Sequence, residues 1–173
     1  PQVGGGASAL RFSSNGDIVD AYRILSDTWQ NCAGGATPWG TWLSCEETDA
    51  GQVWECDPLG ERDGVVRPAM GVFRHEAAAI DEASQHAYLT EDIGDGRFYR
   101  FVYEAPEDLS SGELQVAEVL GDGPEGMIEW RTVPDPSGRD RALSLSSAQS
   151  SSNVFTVDQP TAWGRPAPAG SGR

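Results

Sequence analysis

The run Asn31-Cys32-Ala33-Gly34-Gly35-Ala36-Thr37-Pro38-Trp39-Gly40-Thr41-Trp42-Leu43-Ser44-Cys45-Glu46-Glu47 joins thiols to paired carboxylates across a stretch rich in turn formers. Soft and hard ligands this close together read as one half of a metal site. The Gly34-Gly35 pair and Pro38 predict a tight turn where backbone approaches an ion closely. If residues 43–47 form a strand, Leu43, Cys45 and Glu47 share one face while Ser44 and Glu46 take the other. On that spacing only Glu47 of the acidic pair readily joins a site with Cys45. Two solvated glutamates at a sheet rim are the plain alternative.

Further ligands are offered by Phe73-Arg74-His75-Glu76-Ala77-Ala78-Ala79-Ile80. A carboxylate beside a small, apolar run costs several kcal/mol to bury unpartnered, so Glu76 is expected either to pair with an arginine such as Arg74 or to bind metal. For His75 a satisfied structural role is the expectation. Residues 88–101 then bring Glu91, Asp92 and Asp95 together with Gly94 and Gly96, a combination that suits a hard cation such as calcium. An Asp-Gly turn between two strands explains the same residues, and EF-hand spacing is missing.

The sequence contains no Gly-x-Ser-x-Gly elbow, Walker loop, His-Glu-x-x-His or Cys-x-x-Cys pair. Two histidines and scattered cysteines do not make a usual zinc set. Carboxylates with one thiolate fit ferric iron together with calcium better.

The elements that must position these groups read as strands. Asn15-Gly16 between residues 7–12 and 18–24 predicts a hairpin with φ > 0 at both turn positions. Further strands are expected at 39–47, 52–56, 71–75, 86–91, 98–103 and 113–120. With 21 glycines and 11 prolines among 173 residues, helix bundles are disfavoured and an all-β domain is expected. Short strands at this spacing suit a sandwich, barrel or propeller. Residues 77–88 repeat an apolar, turn, apolar pattern of the kind found in propeller blades, though no clean period emerges and a plain meander explains it equally well. The ordered domain is expected over 1–135. Residues 136–173, rich in Ser, Pro and Gly, are expected to form a poorly ordered tail with one apolar island at Val154-Phe155-Thr156-Val157.

The formal charge of −15 comes from 27 acidic residues against 12 basic ones, all arginine. Such a surface repels a phosphate backbone and draws cations, which excludes nucleic acid as the default partner. Solubility alone accounts for acidity of this kind as well. Three cysteines cannot all pair within one chain, so a disulfide scaffold is not expected; Cys45 with Cys56 remains open as a pair in an oxidising compartment. No run approaches the ~18 apolar residues of a membrane span, and the N-terminus lacks the order of a signal peptide. The abrupt start at Pro1 is consistent with a lost upstream leader or domain.

Taken together, the motif at 31–47, Phe-Arg-His-Glu-Ala at 73–77 and Tyr-Leu-Thr-Glu-Asp-x-Gly-Asp-Gly-x-Phe-Tyr-Arg-Phe at 88–101 resemble the PhoX-type alkaline phosphatase family over roughly residues 5–133. The resemblance implies a six-bladed β-propeller with a central cluster of iron (Fe3+) and calcium (Ca2+), hydrolysing small phosphate monoesters in the periplasm or outside the cell. By motif match it implies Cys32 as the thiolate ligand, Glu47 and Glu76 as carboxylate ligands, and Glu91 and Asp92 as calcium or supporting groups. It also moves the thiol ligand from Cys45 to Cys32. The family propeller is longer than this chain, so a partial propeller of two or three blades is expected, with the missing blades as a partner. The family holds phosphate with Arg and Lys, whereas this chain has no Lys. A metal-binding propeller module without catalysis and a calcium-dependent lactonase-like propeller hydrolase are the competing readings; the second does not explain Cys32.

Overall fold

A computed structural model of the protein describes residues 4–121 and 127–138. The expected tail beyond 138, with its apolar island, lies outside the described residues. Among the described residues eleven strands run β1 (Gly5–Phe12), β2 (Ile18–Thr28), β3 (Asn31–Ala36), β4 (Trp42–Glu46), β5 (Val53–Cys56), β6 (Val65–Val66), β7 (His75–Asp81), β8 (His86–Glu91), β9 (Phe98–Ala105), β10 (Asp108–Leu120) and β11 (Met127–Thr132). The only helical turn among the described residues is the 3-10 segment Pro68–Met70. The fold is all-β, as the glycine and proline content predicts.

The strands form three separate antiparallel sheets: the hairpin β1-β2, a four-stranded sheet in the order β3-β4-β5-β6, and a five-stranded sheet in the order β11-β10-β9-β8-β7. This corrects the propeller expectation. Among the described residues the sheets differ in size, are irregular and do not close, so they are not blades of a six-bladed ring. The physical reason lies in the signal: short alternating strands with good turns encode antiparallel neighbours, and that pattern serves any meander. Repetition of equal sheets around an axis leaves a sequence period, and this chain has none.

Alternation builds the core. In β9, Tyr99, Phe101 and Tyr103 are buried, while Phe98, Arg100 and Val102 are only half-buried. The buried set joins Leu43, Cys45 and Val53 of the four-stranded sheet and Ala78, Ala87, Leu89 and Leu114 of the five-stranded sheet in one cluster. Burying a side chain such as the fully enclosed Phe101 stabilises by roughly 1.5–3 kcal/mol. A smaller cluster of Ile24, Leu25 and Cys56 seats the hairpin on the four-stranded sheet.

The hairpin forms where Asn-Gly predicts it, with a different turn. Ser13 N–H donates to Asp17 O at 2.8 Å, and Gly16 alone in the loop has positive φ, at 88°. Ser13 Oγ accepts the N–H groups of Asn15 and Asp17, which replaces the expected two-residue turn with a longer loop. The strand expected at 71–75 is a loop that leads into β7.

Candidate metal centre

Gly34-Gly35 is not a turn but part of β3. The chain reverses at residues 37–40, where Thr37 O accepts Gly40 N–H at 3.1 Å and Gly40 has φ 84°. The glycines serve close approach instead. A Cβ on Gly34 would lie 1.8 Å from Leu43 O, and one on Gly35 would lie 2.0 Å from Ala78 O. Without side chains here, β3 fits between its partner β4 and the backbone of β7.

That approach carries Cys32 on β3 to Glu76 on β7, where the thiol donates to Glu76 Oε2 at 3.2 Å. Glu47, one residue beyond β4, completes the group. One donor atom from each of Cys32, Glu47 and Glu76 lies within 4.8 Å of the others. Cys32 is exposed and the two carboxylates are half-buried, so the triad is open to solvent. Its electrostatics are those of concentrated negative charge. The Cys32 thiol is pushed up to about 11, chiefly by its hydrogen bond to Glu76, then by desolvation and by Glu47. Ionising this thiol beside two carboxylates is unfavourable, and a multivalent cation relieves that conflict. One thiol and two carboxylates form a mixed soft and hard donor set that could hold a metal ion.

Arg74 pairs with Glu47 Oε1 at 3.4 Å and with Asp49 Oδ1 at 3.7 Å. Of the two partners considered for Glu76, an arginine or a metal, Arg74 is therefore engaged elsewhere. Arg74 Nε is buried without a hydrogen-bond partner.

His75, between these two residues, is fully buried. Its Nε2 donates to Gly71 O at 3.1 Å, and the ring stacks on Phe73 with centroids 3.6 Å apart. Burial holds its pKa down at about 4, so the ring is neutral. These contacts are those of a structural histidine, but not the fully satisfied one expected, since Nδ1 is buried without a hydrogen-bond partner.

Glu91 and Asp92 lie at the far end of β8, outside the triad. Glu91 pairs in register with His75 and is buried. Its Oε2 accepts Arg97 N–H at 3.3 Å and the Tyr99 hydroxyl at 3.4 Å, with Arg97 Nη1 at 3.8 Å. Asp92 is exposed, and its backbone N–H donates to Arg74 O at 3.1 Å. Gly96 lets the loop close, since a Cβ there would lie 2.3 Å from Glu91 O.

The remaining cysteines are free thiols in the interior, which leaves the Cys45–Cys56 pairing unmade. Cys45 belongs to the main core, and burial pushes its thiol up to about 12. Because β4 is covered on both sides, Glu46 does not reach solvent as simple alternation implies. It is 6 % exposed, and its carboxylate accepts Trp29 N–H at 2.8 Å and Gln52 N–H at 3.1 Å. Nothing in the Glu-Glu pair foretells that contact, because both donors are backbone groups brought in by turns.

Comparison with known proteins adds three findings. The family described as alkaline phosphatase PhoX matches residues 3–54 and 48–165. Comparison with curated proteins gave no match. Among solved structures, Pseudomonas fluorescens PhoX in complex with vanadate, a transition state analogue, is similar at 22% identity with a TM-score of 0.61. The match covers 84% of this chain and 41% of that one, so this chain spans less than half the length of its structural relative. At that identity the likeness speaks to the fold.

Proposed function

We propose that this chain, which belongs to the alkaline phosphatase PhoX family, binds iron through Cys32, Glu47 and Glu76 and hydrolyses small phosphate monoesters there. The observation that carries the reading is the convergence of three donor atoms within 4.8 Å, two from the paired strands β3 and β4 and their flank and one from the distant β7. When bound, the ion supplies positive charge and Lewis acidity that offset the negative charge of a phosphate ester.

The chain's own residues prepare that site. Cys32 holds its proton on Sγ and directs it at Glu76 Oε2, so metal binding expels a proton from the thiol. Arg74 is the cation at hand for the substrate. Its contacts of 3.4 and 3.7 Å are loose beside the 2.7 Å pair of Arg67 with Glu55, and its Nε–H has no partner. The side chain is one-third exposed, so its loosely held terminal nitrogens, rather than the buried Nε, are the donors offered to a phosphate oxygen. Calcium belongs to the same reading, with exposed Asp92 as the carboxylate free to meet it, while Glu91 braces Arg97 and Tyr99. Small esters rather than nucleic acid suit a chain of charge −15, and family membership supports a periplasmic or secreted setting.

A second reading, metal binding without catalysis, is favoured by one observation: the described triad offers three ligands, fewer than iron takes with its full coordination. Incubating the full chain with ferric iron and calcium, then assaying p-nitrophenyl phosphate, separates the two. Metal uptake with hydrolysis supports the phosphatase, uptake without hydrolysis supports the binding module, and no uptake rejects both.

A further inference from the structure

We infer that Glu46 is a positioning residue that fixes Cys32 relative to Glu47, an inference that rests on the metal-binding reading above. Its two carboxylate oxygens hold two different backbone segments. Oε1 accepts Trp29 N–H at 2.8 Å in the link that delivers β3 and Cys32. Oε2 accepts Gln52 N–H at 3.1 Å, closing the turn that starts just after Glu47. Glu46 N–H also donates to Gln52 O at 3.0 Å, and Glu47 N–H to Gln30 O at 3.1 Å. The two ligand-bearing segments are thus tied to one side chain that touches neither ligand atom.

The link needs this restraint. Asp27 and Gln30 flank it at φ 59° and 40°, left-handed conformations that ordinary side chains disfavour. Thr28 Oγ1 donates to Asn31 Oδ1 at 2.6 Å, and Asn31 Nδ2 to Ser44 Oγ at 2.9 Å, so β4 holds the same link at a second point. Glutamine cannot replace Glu46 in this role. Both of its oxygens meet N–H donors, and an amide would turn its own NH2 toward one of them, losing that bond and leaving a buried donor unpaired. The link would then relax, and Cys32 would drift from Glu47.

The test is a cobalt(II) titration of the full chain, followed by the thiolate-to-metal absorption that Cys32 gives, with circular dichroism confirming that each protein is folded at the titration temperature. Wild type is expected to develop the band. Glu46→Gln is expected to bind ten- to a hundredfold more weakly, with a displaced band, although the residue touches no metal. An unaltered affinity and band in folded E46Q overturns the inference while leaving the metal site standing. No thiolate band in wild type overturns the metal reading and this inference together. Should E46Q not fold, Glu46→Asp is read by the same criterion, since it keeps both acceptors but withdraws them by one methylene.

Discussion

Cys32 Sγ stands 3.2 Å from Glu76 Oε2, a contact between residues 44 positions apart that joins β3 to β7 at the open end of the site. The proton in that contact competes directly with a metal. Because the thiol is held up at about 11, metal affinity is expected to rise with pH across the neutral range, by about tenfold per unit for one displaced proton. Cys32→Ser should flatten the dependence and weaken binding by one to two orders of magnitude. Titrations at several pH values check both, and a slope retained in the serine variant would assign the proton elsewhere.

Gly35→Ala places a methyl group 2.0 Å from Ala78 O, where backbone rather than a movable side chain must give way. Forcing β3 from β7 is expected to destabilise the fold by roughly 1–3 kcal/mol. It should also weaken metal binding, because the same displacement carries Cys32 away from Glu76. Urea unfolding read beside a metal titration tests the coupling. An alanine variant with unchanged stability and affinity would show that the strand approach does not set the site.

His75 sets an acid limb on stability. Its folded pKa of about 4 lies below the ordinary value near 6.5, so the unfolded chain takes up a proton first as pH falls. The contribution of the neutral ring is complete above pH 6.5 and is lost progressively between there and about 4. The loss is bounded by about 3–4 kcal/mol on the linkage relation. His75→Gln should be less stable at neutral pH and flatter through this window. Equilibrium unfolding at a series of pH values measures it.

Glu55 anchors the rim of the four-stranded sheet. Burial raises its pKa, but hydrogen bonds from Thr41 and Trp39 and the ion pair with Arg67 outweigh that and hold it below the ordinary carboxylate value. Arg67 Nη2 lies 2.7 Å from Oε2, and both side chains are largely buried. Glu55→Ala leaves the guanidinium without its counter-charge and is expected to cost about 3–5 kcal/mol. The stability supplied by Glu55 is present above its unfolded pKa of 4.5 and falls away in acid below that, overlapping only the lower end of the histidine window. Denaturant melts at neutral pH test the magnitude, and a loss under 1 kcal/mol would contradict the account.

Legibility in the sequence followed the range of the forces involved. Local pattern carried β8 at His86–Glu91 and the hairpin around Gly16, because turn chemistry and alternation are properties of neighbouring residues. Strand alternation alone put Cys45 with Glu47; the family resemblance pointed instead to Cys32 with Glu47 and Glu76, three residues that the fold brings together. Gly34-Gly35 misled as a turn because the need for missing side chains arises from close approach of Leu43 O on β4 and of Ala78 O on β7, the second more than 40 positions away, and local propensity does not register either. The same holds for Glu46, whose carboxylate meets N–H donors from two separate links. Ring closure was the largest error: unequal, unclosed sheets are decided by how sheets meet, which strand alternation does not encode.

The central claim is that Cys32, Glu47 and Glu76 hold one metal ion. Its most direct test is iron content by elemental analysis, measured with the visible thiolate-to-iron absorption, on wild type and Cys32→Ser loaded side by side with ferric iron. The account predicts bound iron with the band in wild type, and loss of the band with greatly reduced iron in the variant. Equal iron in the two proteins with no thiolate band in either would contradict it.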